Sequence, residues 1–326
     1  MTEVNKIKVG IIGSAGYTGG ELLRLLLLHP AVEIIFAYSK NCAGKYVHEI
    51  HTDLYGDTNL IFTNTIHIDI DVMFLCNAHG ESKYFIENTE LNPETHIIDL
   101  SQDFRWIESP HNFIYGLPEL QREKIKAAKN IANPGCFATS IQLALLPLAA
   151  KNLLQNPIHI TSTTGSTGAG QGLSLTSHYS WRNNNLSVYK PFEHQHLHEI
   201  GQSIATIQQD FDQPMYFIPQ RGSFTRGIFS SIYTELDLSI DEVQEIFQNY
   251  YNTHPFTFVR SDSIDLKQVI NTNKSFIKVQ KFKENVFIEC VIDNLLKGAS
   301  GQAVQNMNLM FGLDESSGLK LKGVGF

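Results

Sequence analysis

The feature that most constrains this fold is a glycine-rich loop between an apolar strand and a helix near the start of the chain. Residues 7–12 form an apolar run typical of a buried strand, and residues 21–28 predict a helix that ends at His29-Pro30. Between them, glycines let the backbone approach a pyrophosphate, whose charge the helix N-terminus favours. An ordinary tight turn is the alternative. The residues expected to contact a dinucleotide are Gly10, Gly13, Ser14, Gly16, Tyr17, Thr18 and Gly19.

The rest of the first part of the chain continues this alternation. Further apolar runs at residues 32–38, 71–76 and 96–100 are separated by helical or irregular stretches. Strands that alternate with helices pair in parallel. We therefore expect an α/β fold whose first domain is a Rossmann-type doubly wound parallel sheet.

The second part of the chain has a different pattern. Four long β-rich runs cover residues 230–236, 256–259, 275–282 and 286–292. Only two clear helices are expected among them, one after Cys136 and one over residues 241–252 with Ser239 as its cap. This predicts an α+β domain with a mixed, largely antiparallel sheet and helices on one face.

The last predicted helix, over residues 301–311, is expected to pack back on the first domain. The predicted domains are therefore 1–134 with 298–326, which binds the dinucleotide, and 135–297, which carries catalysis.

The end of the second predicted strand indicates which dinucleotide binds. An NAD site usually has Asp or Glu there for the ribose 2′-hydroxyl, but this chain has Tyr38-Ser39-Lys40. A hydroxyl and a cation suit a 2′-phosphate, so we expect NADP(H) rather than NAD, bound by Ser39 and Lys40. Lys40 as a solvated loop charge is the alternative.

Composition excludes several classes of protein. Among 326 residues, 42% are hydrophobic and 18% charged, which argues against intrinsic disorder. The net charge of −8 argues against nucleic-acid or anionic-membrane partners. With no apolar run of about 20 residues and no signal-peptide pattern, we expect a soluble, cytoplasmic protein.

Cys136 is the cysteine whose surroundings point to chemistry. The four cysteines form no CxxC pair, so neither a disulfide framework nor structural zinc is expected. Cys136 follows Asn133-Pro134-Gly135 and falls in the first turn of an apolar helix, where Asn133 or a neighbouring backbone group can cap and the helix dipole favours a thiolate. Such a thiolate beside a nicotinamide is suited to covalent catalysis on an acyl group; buried packing is the alternative. Cys42, Cys76 and Cys290 are interpreted as structural.

Three histidines cluster in Glu193-His-Gln-His-Leu-His-Glu-Ile200. His194 and His198 have a spacing that can bind zinc on a helix, but there is no HExxH pattern or third ligand, so we expect no metal. A general acid/base of near-neutral pKa is the better interpretation. Surface histidines that cap a helix are the alternative.

These motifs together resemble the N-acetyl-γ-glutamyl-phosphate reductase family of arginine biosynthesis, in the aspartate-semialdehyde-dehydrogenase-like superfamily. The matching stretches run from end to end of the chain: VGIIGSAGYTGGELLRLLLLHP (9–30), DLSQDFR (99–105), YGLPEL (115–120), IANPGCF (131–137), HQHLHEI (194–200), RGIF (226–229) and KGASGQAVQNMNLM (297–310).

The resemblance implies an NADPH-dependent oxidoreductase that reduces N-acyl-γ-glutamyl phosphate through a thioester on Cys136. His194 or His196 would be the acid/base, with His194 slightly preferred. Arg105 and Arg226 would hold the phosphate or a carboxylate, or form structural salt bridges instead. Glu199 would contact substrate, orient a histidine or face solvent. Gly168 and Asn306 would lie near the cofactor, and a homo-oligomer, dimer or tetramer, would form through the second sheet.

Several departures from the family pattern bear on the acyl group. Gln195 replaces Arg and His198 replaces Pro within the histidine motif, so an N-succinyl substrate is an alternative to the expected N-acetyl one. Another acyl-phosphate reductase of the superfamily, acting on aminoadipyl or aspartyl phosphate, is a rival function. A non-catalytic NADP-binding sensor is a second rival, although Cys136 and both histidines are present.

Overall fold

The computed structural model describes residues 6–107 and 111–325 and divides into two compact units. The first unit comprises residues 6–134 with Ala299–Lys320, and the second comprises Gly135–Gly298 with residues 321–325. The prediction placed all of 298–326 in the first domain. Gly298 and residues 321–325 instead group with the second unit, where the Lys322 carbonyl accepts a hydrogen bond from Asn271 Nδ2.

The strands and helices are numbered in chain order. The strands are β1 (Ile7–Ile12), β2 (Val32–Tyr38), β3 (Phe62–Thr63), β4 (Val72–Leu75), β5 (His96–Asp99), β6 (Phe113–Tyr115), β7 (Asn130–Ala132), β8 (Ile158–Thr164), β9 (Ser187–Val188), β10 (Met215–Arg221), β11 (Ile228–Glu235), β12 (Thr257–Arg260), β13 (Ser275–Phe282) and β14 (Asn285–Ile292). The helices are α1 (Tyr17–Leu27), α2 (Val47–Ile50), α3 (Glu81–Asn88), α4 (Pro118–Lys126), α5 (Cys136–Ala149), α6 (Tyr179–Arg182), α7 (His196–Ala205), α8 (Ile240–Tyr251) and α9 (Gly301–Met310).

The first unit is built on a parallel sheet of order β3-β2-β1-β4-β5-β7-β6. The strand order reverses direction between β1 and β4, and ligands of such sheets bind at the carboxyl ends of the strands at that reversal. The glycine loop follows β1 and therefore lies at this position. The predicted Rossmann-type fold is confirmed.

Helix α9 belongs to the first unit, where it contacts α1 and α4. It is almost wholly buried despite its polar sequence. Asn308 shows how the amides are satisfied: Nδ2 donates to the Glu315 and Ser317 carbonyls, and Oδ1 pairs with His29 Nε2 at 3.0 Å. These bonds fix the helix where apolar packing alone would not specify its rotation.

The second unit has a mixed sheet of order β12-β13-β14-β11-β8-β10-β9. Only β12 with β13 and β8 with β10 pair in parallel, and the other neighbours are antiparallel. Helix α5 packs on β11 and β14, and α7 and α8 pack on α5. The Ser239 cap is confirmed, because its hydroxyl accepts the Glu242 N–H at the start of α8.

The expectation of only two clear helices in this part was wrong. Helix α7 was missed because its buried positions are largely polar, including His196, Glu199 and Ser203. Strand β8 was missed for a similar reason: its inward Ser162 is buried and its hydroxyl lies 2.7 Å from that of Ser230. The Ser230 hydroxyl also lies 2.8 Å from that of Ser140 on α5, so hydroxyls replace apolar contacts at this point of the core.

Candidate active site

The glycine loop in the first unit has the form that a pyrophosphate requires. Gly13 has φ +74°, and a side chain there would meet the Cys76 carbonyl oxygen at 2.6 Å. A Cβ on Gly19 would lie 2.5 Å from the Ser14 Cα. Both positions therefore require glycine, since any side chain would push the loop apart.

The start of α1 is open to an anion. Gly16 is the N-cap, no side chain of the described residues caps the helix, and its first turn contains no acidic residue. The N–H groups of the first turn have no partner within a helix, and the dipole favours negative charge there. The loop is held by hydrogen bonds from the Gly13 and Ser14 N–H groups and the Ser14 hydroxyl to the Tyr38 carbonyl. Loop and helix start together fit a dinucleotide phosphate.

The end of β2 carries the two residues expected at a 2′-phosphate. Ser39 is buried and its N–H donates to the Thr63 carbonyl, whereas Lys40 is exposed. Gly10 lies in β1 against the Phe36 ring, so its role there is packing below the loop. Tyr17 and Thr18 are the first residues of α1.

The loops after β4, β5 and β7 in the first unit are tied together by hydrogen bonds. Arg105 is buried and donates from Nε to the Asn133 carbonyl and from an Nη to the Leu100 carbonyl. Asp103 accepts the N–H groups of Gly80 and Lys83 at the start of α3. Arg105 therefore connects the loops after β5 and β7 and stabilises the first unit.

Asn306 on α9 joins the same network. Its Nδ2 donates to the Gly116 carbonyl at 2.8 Å and to Asn133 Oδ1 at 3.1 Å, while its Oδ1 is buried with no hydrogen-bond partner among the described residues. Asn133 was predicted as a possible cap of α5. The N-cap is Gly135, and the Asn133 side chain instead bonds Asn306 and the Ala299 carbonyl.

In the second unit, Cys136 is the first residue of α5 and is partly exposed. The N-terminal position favours negative charge on its sulfur. Glu199 from α7 is buried and accepts the Gly135 N–H at 2.7 Å. A Cβ added to Gly298 would lie 2.9 Å from the Cys136 Cβ, so the backbone packs closely on the cysteine from this side. The three other cysteines lie elsewhere, and burial raises the pKa of the Cys76 thiol to about 12.

His194 and His196 are both buried and lie next to Phe137. Their rings meet edge-on with centroids 4.7 Å apart. His194 Nδ1 accepts the His196 N–H at 3.2 Å, so a neutral His194 carries its proton on Nε2. Burial, reinforced by the charges of Lys190 and Arg221, lowers the pKa of His194 to about 4. His198 is exposed, which separates it from His194.

The expectation of a histidine with near-neutral pKa therefore does not hold for His194. It is uncharged at neutral pH, because desolvation and two nearby cations disfavour the imidazolium. In the described ranges no group of three His, Cys, Asp or Glu side chains is arranged to hold a metal ion.

Tyr189 and Arg221 belong to this cluster and were missed by the sequence analysis. Tyr189 packs edge-on against His194 at 5.7 Å, and the Arg221 guanidinium stacks over its ring at 4.6 Å. Burial, with a contribution from the nearby Cys136 charge, raises the pKa of Tyr189 to about 12. Neither residue lies in a recognisable motif. Tyr189 is in a loop and Arg221 is at the end of β10, and only the fold brings them together.

The loop that carries Tyr189 is strained. Lys190 and Phe192 have φ values of +44° and +64°, which side-chain-bearing residues rarely adopt. Each such residue costs about 1–3 kcal/mol and persists only where the surroundings impose it. The strain lies directly between Tyr189 and His194.

Arg226 is engaged with a carboxylate. Its guanidinium makes a two-pronged ion pair with Asp293, through Nε at 3.0 Å and an Nη at 3.2 Å, and the Asp293 side chain is fully buried. Gly168 lies in the second unit, in a turn at Ser166–Ala169. Thr167 fastens this turn through its hydroxyl, which donates to the Thr225 carbonyl.

Comparison with known proteins identifies the family. Residues 8–128 match the NAD binding domain of semialdehyde dehydrogenase, and residues 136–294 match its dimerisation domain. Proteins named N-acetyl-gamma-glutamyl-phosphate reductase are similar over nearly their whole length. That of Azobacteroides pseudotrichonymphae is 55% identical over 98% of this chain and 100% of its own. That of Parabacteroides distasonis is 53% identical with the same coverage.

Solved structures support the fold. Aspartate semialdehyde dehydrogenase II of Vibrio cholerae has a TM-score of 0.73 at 16% identity, over 94% of this chain and 99% of that one. The Candida albicans enzyme with NADP has a TM-score of 0.66 at 14% identity, with the same coverage. No helix in the described ranges has the length and apolar character needed to span a membrane. Because the identities with the named reductases extend over nearly the full length of both chains, the chain belongs to the N-acetyl-γ-glutamyl-phosphate reductase family.

Proposed function

We propose that the protein catalyses the NADPH-dependent reduction of N-acyl-γ-glutamyl phosphate to N-acyl-glutamate 5-semialdehyde and phosphate, in arginine biosynthesis. The observation that carries the proposal is Cys136 at the start of α5, with Glu199 on the preceding N–H and two buried histidines beside Phe137. The full-length relatives support N-acetyl as the acyl group, and N-succinyl is the alternative.

The chemistry at Cys136 proceeds through a thioester. Its thiolate attacks the γ-carbonyl carbon, the carbon–sulfur bond forms, and the carbon–oxygen bond to phosphate breaks with its electron pair leaving on phosphate. Bound NADPH supplies the hydride that reduces the thioester. The resulting oxyanion re-forms the carbonyl as the carbon–sulfur bond breaks, which releases the aldehyde and restores the Cys136 thiolate. The proton consumed overall goes to the released phosphate.

We propose the histidine pair as the acid/base, with His194 preferred at the oxyanion and His196 next to it. The Nε2–H of neutral His194 donates a hydrogen bond to the oxyanion. Because the pKa of His194 is about 4, this donor form persists through the neutral range. In the reverse direction, the Cys136 thiol loses its proton to His196, since the lone pair of neutral His194 accepts the His196 N–H.

The cofactor site we propose consists of the glycine loop, the start of α1, Ser39 and Lys40. Gly13 and Gly19 leave room for a pyrophosphate, and the uncapped helix start supplies N–H donors. The exposed Lys40 supplies a cation for a 2′-phosphate, so the protein prefers NADPH to NADH. Asn306 is proposed to lie near the nicotinamide, and its buried Oδ1, which has no hydrogen-bond partner among the described residues, supports this. Gly168 is proposed to lie in a loop by the cofactor.

Arg105 and Arg226 are proposed to act on substrate only indirectly. Arg105 is committed to backbone carbonyls and Arg226 to Asp293. Glu199 is proposed to position Cys136 through Gly135 instead of contacting substrate.

A homo-oligomer is proposed to form through the open face of the second sheet, and the protein is proposed to work in the cytoplasm. The outward residues of neighbouring strands make an aromatic row in which His159 and Tyr233 stack at 4.6 Å, with Tyr216 beside them. Tyr216 and Tyr233 are each 43% exposed. An exposed aromatic patch of this kind is typical of an interface.

The experiment that tests the function measures NADP reduction by the semialdehyde in the presence of phosphate. The Cys136→Ser variant should lose the rate by about a thousandfold, because a hydroxyl does not replace the thiolate. Cys42→Ser is the matched control and should keep wild-type activity. Undiminished activity in Cys136→Ser contradicts the thioester route, and absence of activity in the wild type with both N-acyl semialdehydes contradicts the proposed function.

A further inference from the structure

Three cations in the second unit lie close together without a carboxylate partner. The charges of Lys190 and Arg221 both act on His194, and the charge of Arg221 acts on Arg182. Within residues 6–107 and 111–325, no Asp or Glu forms an ion pair with any of these three side chains. In a protein with 33 acidic and 25 basic residues, such a cluster calls for an anion from outside the chain.

Arg221 is the member of this cluster that is oriented for binding. Its guanidinium carbon lies over the Tyr189 ring, 4.6 Å from the centroid, and this cation–π contact holds the group in place. Its Nε is buried with no hydrogen-bond partner in the described part of the chain. A buried donor without a partner is costly unless a ligand provides an acceptor.

The Arg182 side chain holds the backbone of Arg221 in place. It donates from one Nη to the Arg221 carbonyl at 2.5 Å, from the other to the Ser187 hydroxyl, and from Nε to the Thr176 carbonyl. Because these donors are committed to the protein, Arg182 orients Arg221. The Arg221 guanidinium also hydrogen-bonds the Tyr189 side chain, so its Nε is the donor left for a ligand.

Arg221 also lies beside the reactive cysteine. Tyr189, on which it stacks, is close enough to Cys136 to sense its charge, and it contacts His194. His194 in turn packs on Phe137, the residue after Cys136. An anion bound by Arg221 would therefore be part of the molecule that reacts at Cys136.

The two arginines named from the sequence do not compete for this role. The guanidinium of Arg226 already donates to both carboxylate oxygens of Asp293. The buried guanidinium of Arg105 donates to backbone carbonyl oxygens.

We propose that Arg221, stacked on Tyr189 and supported by Lys190, is a substrate-binding residue that holds an anionic group, carboxylate or phosphate, of the molecule reacting at Cys136. A guanidinium fork matches either group through two parallel hydrogen bonds. This inference rests on the proposed function, since it takes the substrate to be an acyl phosphate that also carries carboxylate.

The first test measures KM and kcat in the direction of semialdehyde oxidation for Arg221→Gln, Arg221→Lys and the control Lys151→Gln. Lys151 follows α5 at the end opposite Cys136, is exposed, and also loses one positive charge. Arg221→Gln should raise one KM by about 10- to 100-fold, the usual loss for a hydrogen bond to a charged group. Arg221→Lys should restore part of this loss, and Lys151→Gln should match the wild type.

The substrate whose KM rises identifies the bound group. A raised KM for phosphate indicates the phosphate group. A raised KM for both the N-acetyl and N-succinyl semialdehydes indicates the α-carboxylate, and one confined to the N-succinyl semialdehyde indicates the succinyl carboxylate. The inference is overturned if Arg221→Gln leaves every KM unchanged, whether or not kcat falls. The proposed function still holds in that case, provided that the wild type is active.

A second readout does not depend on turnover. Iodoacetamide alkylates Cys136, and inorganic phosphate, N-acetylglutamate and N-succinylglutamate are added in turn as protecting anions. At least one should protect the wild type at a concentration about tenfold below that needed for Arg221→Gln. Equal protection in a variant that keeps the wild-type circular dichroism spectrum overturns the inference.

Discussion

At the scale of single residues, the position of Cys136 depends on a hydrogen bond from another helix. Glu199 illustrates this: it is buried on α7, yet its carboxylate accepts the N–H of Gly135, directly before Cys136. It thereby fixes the first turn of α5 from a different helix. A change at Glu199 should act on the position of the cysteine.

We expect Glu199→Ala to destabilise the protein by about 1–3 kcal/mol, because the Gly135 N–H would be buried without an acceptor. Its kcat should fall, with KM changed less, since the loop before Cys136 loses its anchor. Glu199→Gln keeps an acceptor oxygen and should be milder in both respects. Urea unfolding and steady-state kinetics measure the two effects; equal values for Glu199→Ala and the wild type would argue against this role.

At the scale of elements, strand β11 packs against α5 on one face and carries exposed side chains on the other. Its inward residues are buried under α5, whereas Tyr233 points outward and is 43% exposed between His159 and Phe287 on the neighbouring strands. Tyr233, His159 and Phe287 form an aromatic row across three strands. The sheet therefore presents exposed aromatic side chains on the side opposite α5.

We expect Tyr233→Glu to convert the proposed homo-oligomer to a smaller species, because a carboxylate would be placed in the exposed aromatic row. Tyr84→Glu is the control: it makes the same change at an exposed position on α3 in the first unit. Sedimentation equilibrium gives the mass of each. A monomeric wild type, or a Tyr233→Glu variant of wild-type mass, would refute assembly through this face.

At the scale of the whole molecule, stability should depend on pH through buried histidines. Burial is the first cause that lowers the pKa of His29, His51, His96 and His194, the last to about 4. Between pH 6.5 and about 4, the unfolded chain therefore binds more protons at these sites than the folded chain. Stability is fully present above pH 6.5 and decreases as the pH falls through this range.

The measurement is the urea midpoint at pH 7.5 and pH 5.5. We expect a lower midpoint at pH 5.5 and a smaller difference in His194→Gln, which lacks one of the four sites. A midpoint that is equal or higher at pH 5.5 would show that these histidines are not held neutral in the folded protein.

Much of the fold was predictable because its signals are local. An apolar strand, a glycine loop and an apolar helix in sequence define the start of a doubly wound sheet, and Ser239 with Glu242 defines the start of α8. Helix α7 and strand β8 escaped prediction because polar side chains share their buried positions with apolar ones, and only the final packing supplies partners for those polar groups. Periodicity of apolar residues does not detect such elements.

The sequence by itself determined the glycine loop, the placement of Cys136 in the first turn of a helix, and the family, since these depend on residues that are neighbours along the chain. Tertiary structure decided the rest of the site. It committed Arg226 to Asp293, brought Glu199 to Gly135, and stacked Arg221 on Tyr189 beside His194. The reason is physical: ionic pairing and the pKa of a buried group depend on burial and on charges from distant parts of the chain, which only the folded protein brings together.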